Sequence, residues 1–386
     1  MKYWISYLVA AIFAVITLTL TRYAEAHTVL IDMVYPYMSR IVMTTLAEWS
    51  AGGACVWQKI MTWAMVGGGI LLVLICVFKW NLIQWIGWAL SLVSLGVLLN
   101  TAIYELNAYA SPLADDMRLE VASYTVADLS EATNYYRDKA NTLATKVNRD
   151  PYGNPDFGTF EEMANQAGDG FRAMTYDQAV SVFAGSTVPV KVQTRGTKDG
   201  VSGKTIPLTG EALVNPDVPT AAMPFAMCKE MAHRMCIYSD VDANFAAYLA
   251  GSNNSSVEFQ YSAYLMAYYY CYETLSRVDT NAARASAASA ESGLSELVRR
   301  DLEACRAFYR QGTVDDQKVL AEIPPEERSE LMPFTRYSGT TDLLASWYYQ
   351  QYILPRHQEE ETPFNPYDPG QVDLSGIVNA PEATEG

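Results

Sequence analysis

Three uncharged apolar runs constrain this chain more than any other feature: Tyr3 to Leu20, Ile60 to Phe78 and Leu82 to Leu99. Each is about as long as a helix that crosses a hydrocarbon core. Charged residues make up only 18% of the chain, against about a quarter in soluble domains. Membrane helices are therefore expected, with the lipid bilayer as the first partner.

The first run, within residues 1–26, fits two readings. Its length favours an uncleaved anchor, whereas Ala24-Glu25-Ala26 has the small-x-small form of a signal-peptide cleavage site. Only Lys79-Trp80-Asn81 separates the other two runs, so residues 60–100 are expected to form an antiparallel transmembrane hairpin. With Lys2 and Lys79 on the cytoplasmic side, three crossings place everything after Leu99 outside a bacterial cytoplasmic membrane. Arg22, Arg40 and Lys59 then also lie outside, which weakens the charge rule. Residues 27–59 are too polar to cross. Ile31, Val34, Tyr37 and Met38 recur there at helical spacing, which suits either an interfacial helix or a plain connector.

Residues 101–354 read as one outer domain, mainly α with a small β-hairpin. Helices are expected within Met117–Val147, Phe160–Phe171, Tyr176–Phe183, Asn281–Tyr309 and Asp342–Tyr352, and strands at Val188–Gln193 and Thr205–Leu213. Pro189 and Pro207 confine both strands to edges. Six tyrosines between Tyr261 and Tyr272 suit core packing against the preceding helices. The four cysteines after Leu99 permit disulfides, but Cys228 and Cys236 stand too far apart along one helix to pair. Residues 355–386, rich in Pro, Glu and Asp, are expected to be disordered. A formal charge of -16 without any basic stripe excludes nucleic acid as a partner.

One stretch carries candidate chemistry. A zinc hydrolase helix spaces two histidines four residues apart, so that both imidazoles meet one ion, and places a glutamate beside the first to polarise water. In the helix expected to start near Ala222 or Pro224, the four-residue pair is Lys229 and His233, and Glu230 follows Lys229. A protonated ammonium offers a cation no lone pair. Taken alone, a histidine beside a lysine and a glutamate is an ordinary solvated or hydrogen-bonded group.

Six segments extend the comparison: YPYMSR at Tyr35, LNAYASPLADDMRLEVASYTVADL at Leu106, PLTGEALVNPDVP at Pro207, MPFAMCKEMAHR at Met223, SDVDANFAAYLA at Ser239 with FQYSAYL at Phe259, and RYSGTTDLLASWY at Arg336. In order and spacing they resemble a family of bacterial membrane proteins catalogued as domain of unknown function 3810, whose outer domain bears an HExxH helix. The resemblance implies a zincin-like outer domain, with Lys229 in place of the first histidine ligand, Glu230 as a vestigial general base and His233 as the second ligand. It also implies a third ligand at Asp240, with Asp242 as the next choice.

Two functions follow as expectations. One is a metal-free pseudopeptidase, a membrane-tethered binding or regulatory module for an extracytoplasmic peptide or protein, in which Lys229 neutralises the carboxylates. The other is an active zinc metallopeptidase, with His233, Asp240 and Asp242 on the metal and Glu230 as base. The loss of one imidazole from a site that needs three protein ligands favours the first.

Overall fold

The computed structural model describes residues 4–121, 124–174, 183–198, 200–278, 280–309 and 339–355. The helix expected at Tyr176–Phe183 and the tail 355–386 fall almost wholly outside them. The three apolar runs form helices α1 (Trp4–Ala26), α3 (Val56–Phe78) and α4 (Leu82–Ile103), each long and apolar enough to cross a membrane. Their large apolar side chains lie bare on the protein surface, among them Leu8, Val15, Leu72, Val77, Leu92 and Val93. A surface of that kind suits lipid rather than water.

These helices do not pack as the expected hairpin. Instead α4 lies along α1, while α3 has no comparable packing against either. Small residues explain the preference: a Cβ on Gly87 would come within 2.1 Å of Ser6 Oγ, and Ser91 Oγ donates to the Ser6 carbonyl at 2.5 Å. Backbones that approach this closely make extensive van der Waals contact in an apolar medium. Ser6 meets the first turns of α4, and at the other end Ala24 packs with Leu106. The two helices are therefore parallel. Residues 27–55 and the chain after Ile103 consequently emerge on the same side of any membrane they cross.

Helix α2 (Thr28–Trp49) brackets that side, and its polar groups satisfy helix ends that would otherwise be orphaned. Tyr35 Oη donates to the carbonyls of Thr101 and Ala102, and Ser39 Oγ to that of Ile103. The start of α3 is held by a different device. Glu211 accepts from the backbone N–H groups of Val56 (2.7 Å) and Trp57 (2.8 Å), and its carboxylate pairs with Lys191 at 2.8 Å. Burial by itself would push this carboxyl up, but Lys191 and the N–H groups of Trp57 and Val56 outweigh it and hold it below the ordinary range.

After α4 come a 3-10 turn at Glu105–Tyr109 and the short α5 (Leu113–Asp116). The outer domain then contains α6 (Val126–Ala144), α7 (Phe160–Ala173), α8 (Met223–Arg234), α9 (Asp240–Ser252), α10 (Val257–Arg277), α11 (Asn281–Ser292), α12 (Glu296–Tyr309) and α13 (Thr340–Tyr348). Thr125 and Thr159 open α6 and α7 with reciprocal capping boxes to Asp128 and Glu162. Helix α10 is the core, packed on α6, α8, α9, α11 and α13, with Tyr261 and Tyr268 fully buried. The stretch expected as one alanine-rich helix, 281–309, breaks at Gly293 into α11 and α12.

The sheet differs from expectation in its pairing. Its strands are β1 (Lys191–Val192), β2 (Gly203–Ile206) and β3 (Glu211–Val214), in the order β1-β3-β2. The hairpin lies inside the second expected strand: β2 and β3 pair antiparallel around a turn that contains Pro207, and β1 joins β3 in parallel. Gly210 closes this turn at φ +65 and approaches the backbone of α2 so closely that a Cβ would meet Ala47 N at 2.4 Å. Strand β3 is thus central and buried rather than an edge, and β1 and β2 form the edges.

Candidate functional site

Helix α8 begins with Pro224 in its first turn, where a missing N–H is harmless. Met227, Cys228, Met231 and Ala232 are fully buried and fix its orientation against α9, α7 and the sheet. It ends in a Schellman motif: the Ile237 N–H returns to the Ala232 carbonyl, and the Cys236 N–H to that of His233. Cys236 fills the left-handed position at φ +71, usually a glycine site, so it lies beyond the helix instead of on it. This turn brings the Ile237 carbonyl to 2.9 Å from His233 Nδ1.

The turn also delivers Asp240, the first residue of α9, to the end of α8. Its Oδ1 lies 2.7 Å from Lys229 Nζ and 3.2 Å from His233 Nε2. A carbonyl can only accept, so Nδ1 carries the proton shared with Ile237. Nε2 is the nitrogen left facing the Asp240 carboxylate. The His233 side chain, followed by Lys229, holds Asp240 well below the usual carboxylate range.

Glu230 points elsewhere. It is buried against β2, where Ser202 Oγ donates to its carboxylate at 3.3 Å and Thr205 Oγ1 to its carbonyl at 3.1 Å. Gly203 makes room for it, because a Cβ there would come within 2.6 Å of Glu230 Cγ. Burial pushes the Glu230 carboxyl up, with the nearby His233 and Lys229 opposing. Lys229 and His233 thus meet on Asp240, while the Glu230 carboxylate turns to Ser202 within electrostatic reach of both.

Asp242 separates from the group as well. On a helix, residues two apart point about 200° away from each other. Asp242 accordingly lines a cleft on the opposite side, with Asp32, Arg40 and Asp116. There burial, Asp32, Asp115 and Asp242 push the Asp116 carboxyl up to about 6, against the pull of Arg40.

These positions bear on a zinc ion through their donor chemistry. Among the described residues, no three His, Cys, Asp or Glu side chains converge as a metal site requires. His233 and Asp240 adjoin, Asp242 faces away, and an ammonium lies on the shared oxygen. The residues as they stand do not fit zinc. All six cysteines are thiols, with Cys228, Cys271 and Cys305 buried apart from any disulfide.

The sequence reading missed several residues now evident around the site: Ser202 and Thr205 on Glu230, Glu211 at the start of α3, and the Arg40 and Asp116 cleft. Arg40 and Glu211 lie within YPYMSR and PLTGEALVNPDVP, segments in which spacing alone assigns no role to either residue.

Three membrane-length apolar helices and a mainly helical domain with a small sheet define a membrane-associated α-rich protein, in which an aspartate bridges a lysine and a histidine at the end of a buried helix. Its membership is specific. A family model described as Protein of unknown function (DUF3810) matches residues 31–353, and the chain belongs to that family. Neither a curated protein nor a solved structure matches the chain.

Proposed function

We propose that this protein is a membrane-tethered, zincin-like pseudopeptidase, whose outer domain keeps an active-site helix, works without metal and binds an extracytoplasmic peptide or protein. In this reading the chain is anchored by several passes, with that domain outside a bacterial cytoplasmic membrane. One observation carries the reading: Lys229 Nζ lies 2.7 Å from Asp240 Oδ1, so a fixed positive charge stands where an ion would neutralise the acid. The His233 ring is committed on both nitrogens, to Ile237 and to Asp240. Beside this cluster, β2 is an edge strand with one partner among the described residues, the kind of element to which an extended peptide adds.

The test is the zinc content of the full chain, purified in detergent and dialysed against a weak chelator, beside Lys229→His. Wild type is expected to hold no stoichiometric zinc and Lys229→His to gain about one ion per chain, because an imidazole there supplies the missing ligand. One tightly held zinc in the wild type would refute the reading.

A further inference from the structure

A cleft of about 620 Å³ lies between α2, the connection that leaves α4, and the turn that leads into α9. Its size is that of a small-molecule site. The carboxylates of Asp32, Asp116 and Asp242 line it with a single guanidinium, that of Arg40, so its charge is mixed with an acidic excess. Asn107, only 4% exposed in the same wall, has an Oδ1 acceptor without a hydrogen-bond partner. The acids do not converge tightly enough to make a cation cage among the described residues. Acceptors spaced in this way suit an ammonium with several N–H donors, and Arg40 suits a phosphate attached to it.

The position of the cleft selects the kind of molecule. Helix α2 follows α1 after His27 alone, and the connection follows α4 directly, so the cleft lies where both helices leave the apolar layer. Along α2, Val29, Met33, Tyr37 and Ile41 form an exposed apolar stripe at helical spacing. Met33 and Tyr37 also line the cleft, so the stripe and the acidic wall share an edge. A soluble ligand would use the cleft alone. An amphiphile would use both, its tails along the stripe and its head in the cleft. We infer that this cleft binds the headgroup of a phospholipid bearing a primary ammonium, with the acids on the ammonium and Arg40 on the phosphate.

The test uses the full chain in detergent, loaded from vesicles of phosphatidylethanolamine, phosphatidylcholine or phosphatidylglycerol. Native mass spectrometry counts the lipid retained after exchange into fresh detergent. About one phosphatidylethanolamine per chain is expected, with roughly tenfold less of the other two, since choline has no N–H to donate and glycerol no charge. Asp116→Asn, an isosteric change, should lower that retention about tenfold, and Asp32→Asn, on α2, should do the same. Equal retention of the three lipids overturns the proposal, as does unchanged retention in both variants. Binding of free O-phosphoethanolamine without retention of the lipid would also overturn it, by assigning the cleft to a soluble ligand.

Discussion

Replacing Glu211 by alanine would strand five donors in one step, the Thr209 hydroxyl and the Cys55 thiol among them. The carboxylate is inaccessible to solvent and accepts from Val56 N at 2.7 Å, Trp57 N at 2.8 Å and Lys191 Nζ at 2.8 Å. Lys191 is itself only 12% exposed, so the variant leaves an ammonium without its carboxylate in a poorly hydrated place. Breaking such a pair costs about 3–5 kcal/mol, most of it from the uncompensated charge. Hydrogen exchange of the full chain in detergent reads this locally at the Val56 and Trp57 amides. Each 1.4 kcal/mol is about tenfold, so exchange there should accelerate by roughly a hundredfold or more. Adding Lys191→Met should recover much of the protection, because the stranded charge goes with it. A change below about tenfold in Glu211→Ala, or no recovery in the double variant, would show that water already compensates the carboxylate. The pH dependence has a definite sign. A depressed carboxyl contributes stability above its unfolded value, about 4.3, and loses it as pH falls through the lower folded value. The joint should therefore remain closed at neutral pH and open only in acid.

Other parts of the molecule respond differently. Gly87→Leu should separate α1 from α4, since even a Cβ at that position meets Ser6 Oγ at 2.1 Å; disulfide trapping between cysteines introduced at 6 and 91 should fail in that background. Asp301→Ala removes the partner of Arg149 (2.7 Å) and of the buried Tyr261 hydroxyl, and should lower the urea stability of the protein by about 3–5 kcal/mol. Asp116 carries a raised pKa of about 6, so its contribution is greatest below the unfolded value near 3.9 and is lost as pH rises through 6. Asp116→Asn should flatten that slope in thermal melts between pH 4 and 7. In Lys229→Met, Asp240 keeps His233 but loses the ammonium that also lowers it, and the carboxyl titration followed by NMR should move upward.

The spans were legible because a long uncharged apolar run has one stable use, which needs no knowledge of the rest of the chain. Their arrangement was not. Short loops favour neighbours, but Ser6, Gly87 and Ser91 fit the start of α1 to the first turns of α4, and that complementarity has no local signature. The strand error has a similar origin: alternation from Thr205 to Leu213 reads as one strand, until the positive φ of Gly210 folds it in two. In the candidate site, helical spacing placed Lys229 and His233 together correctly. Asp240 and Asp242 could not be ranked by spacing, because only the Schellman turn at Cys236 decides which of them faces α8. Glu211 and Arg40 act through partners more than a hundred positions away, a distance over which sequence pattern carries no geometry.

Helix α3 is gripped over its first two turns by the sheet and by Thr194 and Arg195 after β1, and most of its remaining length is exposed. Its 23 residues extend about 34 Å from that grip. Membrane helices answer a change in bilayer thickness mainly by tilting. Here a tilt would pivot about that held end, where the Glu211 carboxylate caps the first turn, and a 10° swing moves the far end about 6 Å while the near end stays seated. Thickness would thus reach β3 as torque, and from β3 it would pass to β2 and to Glu230, which rests on Ser202 and Thr205.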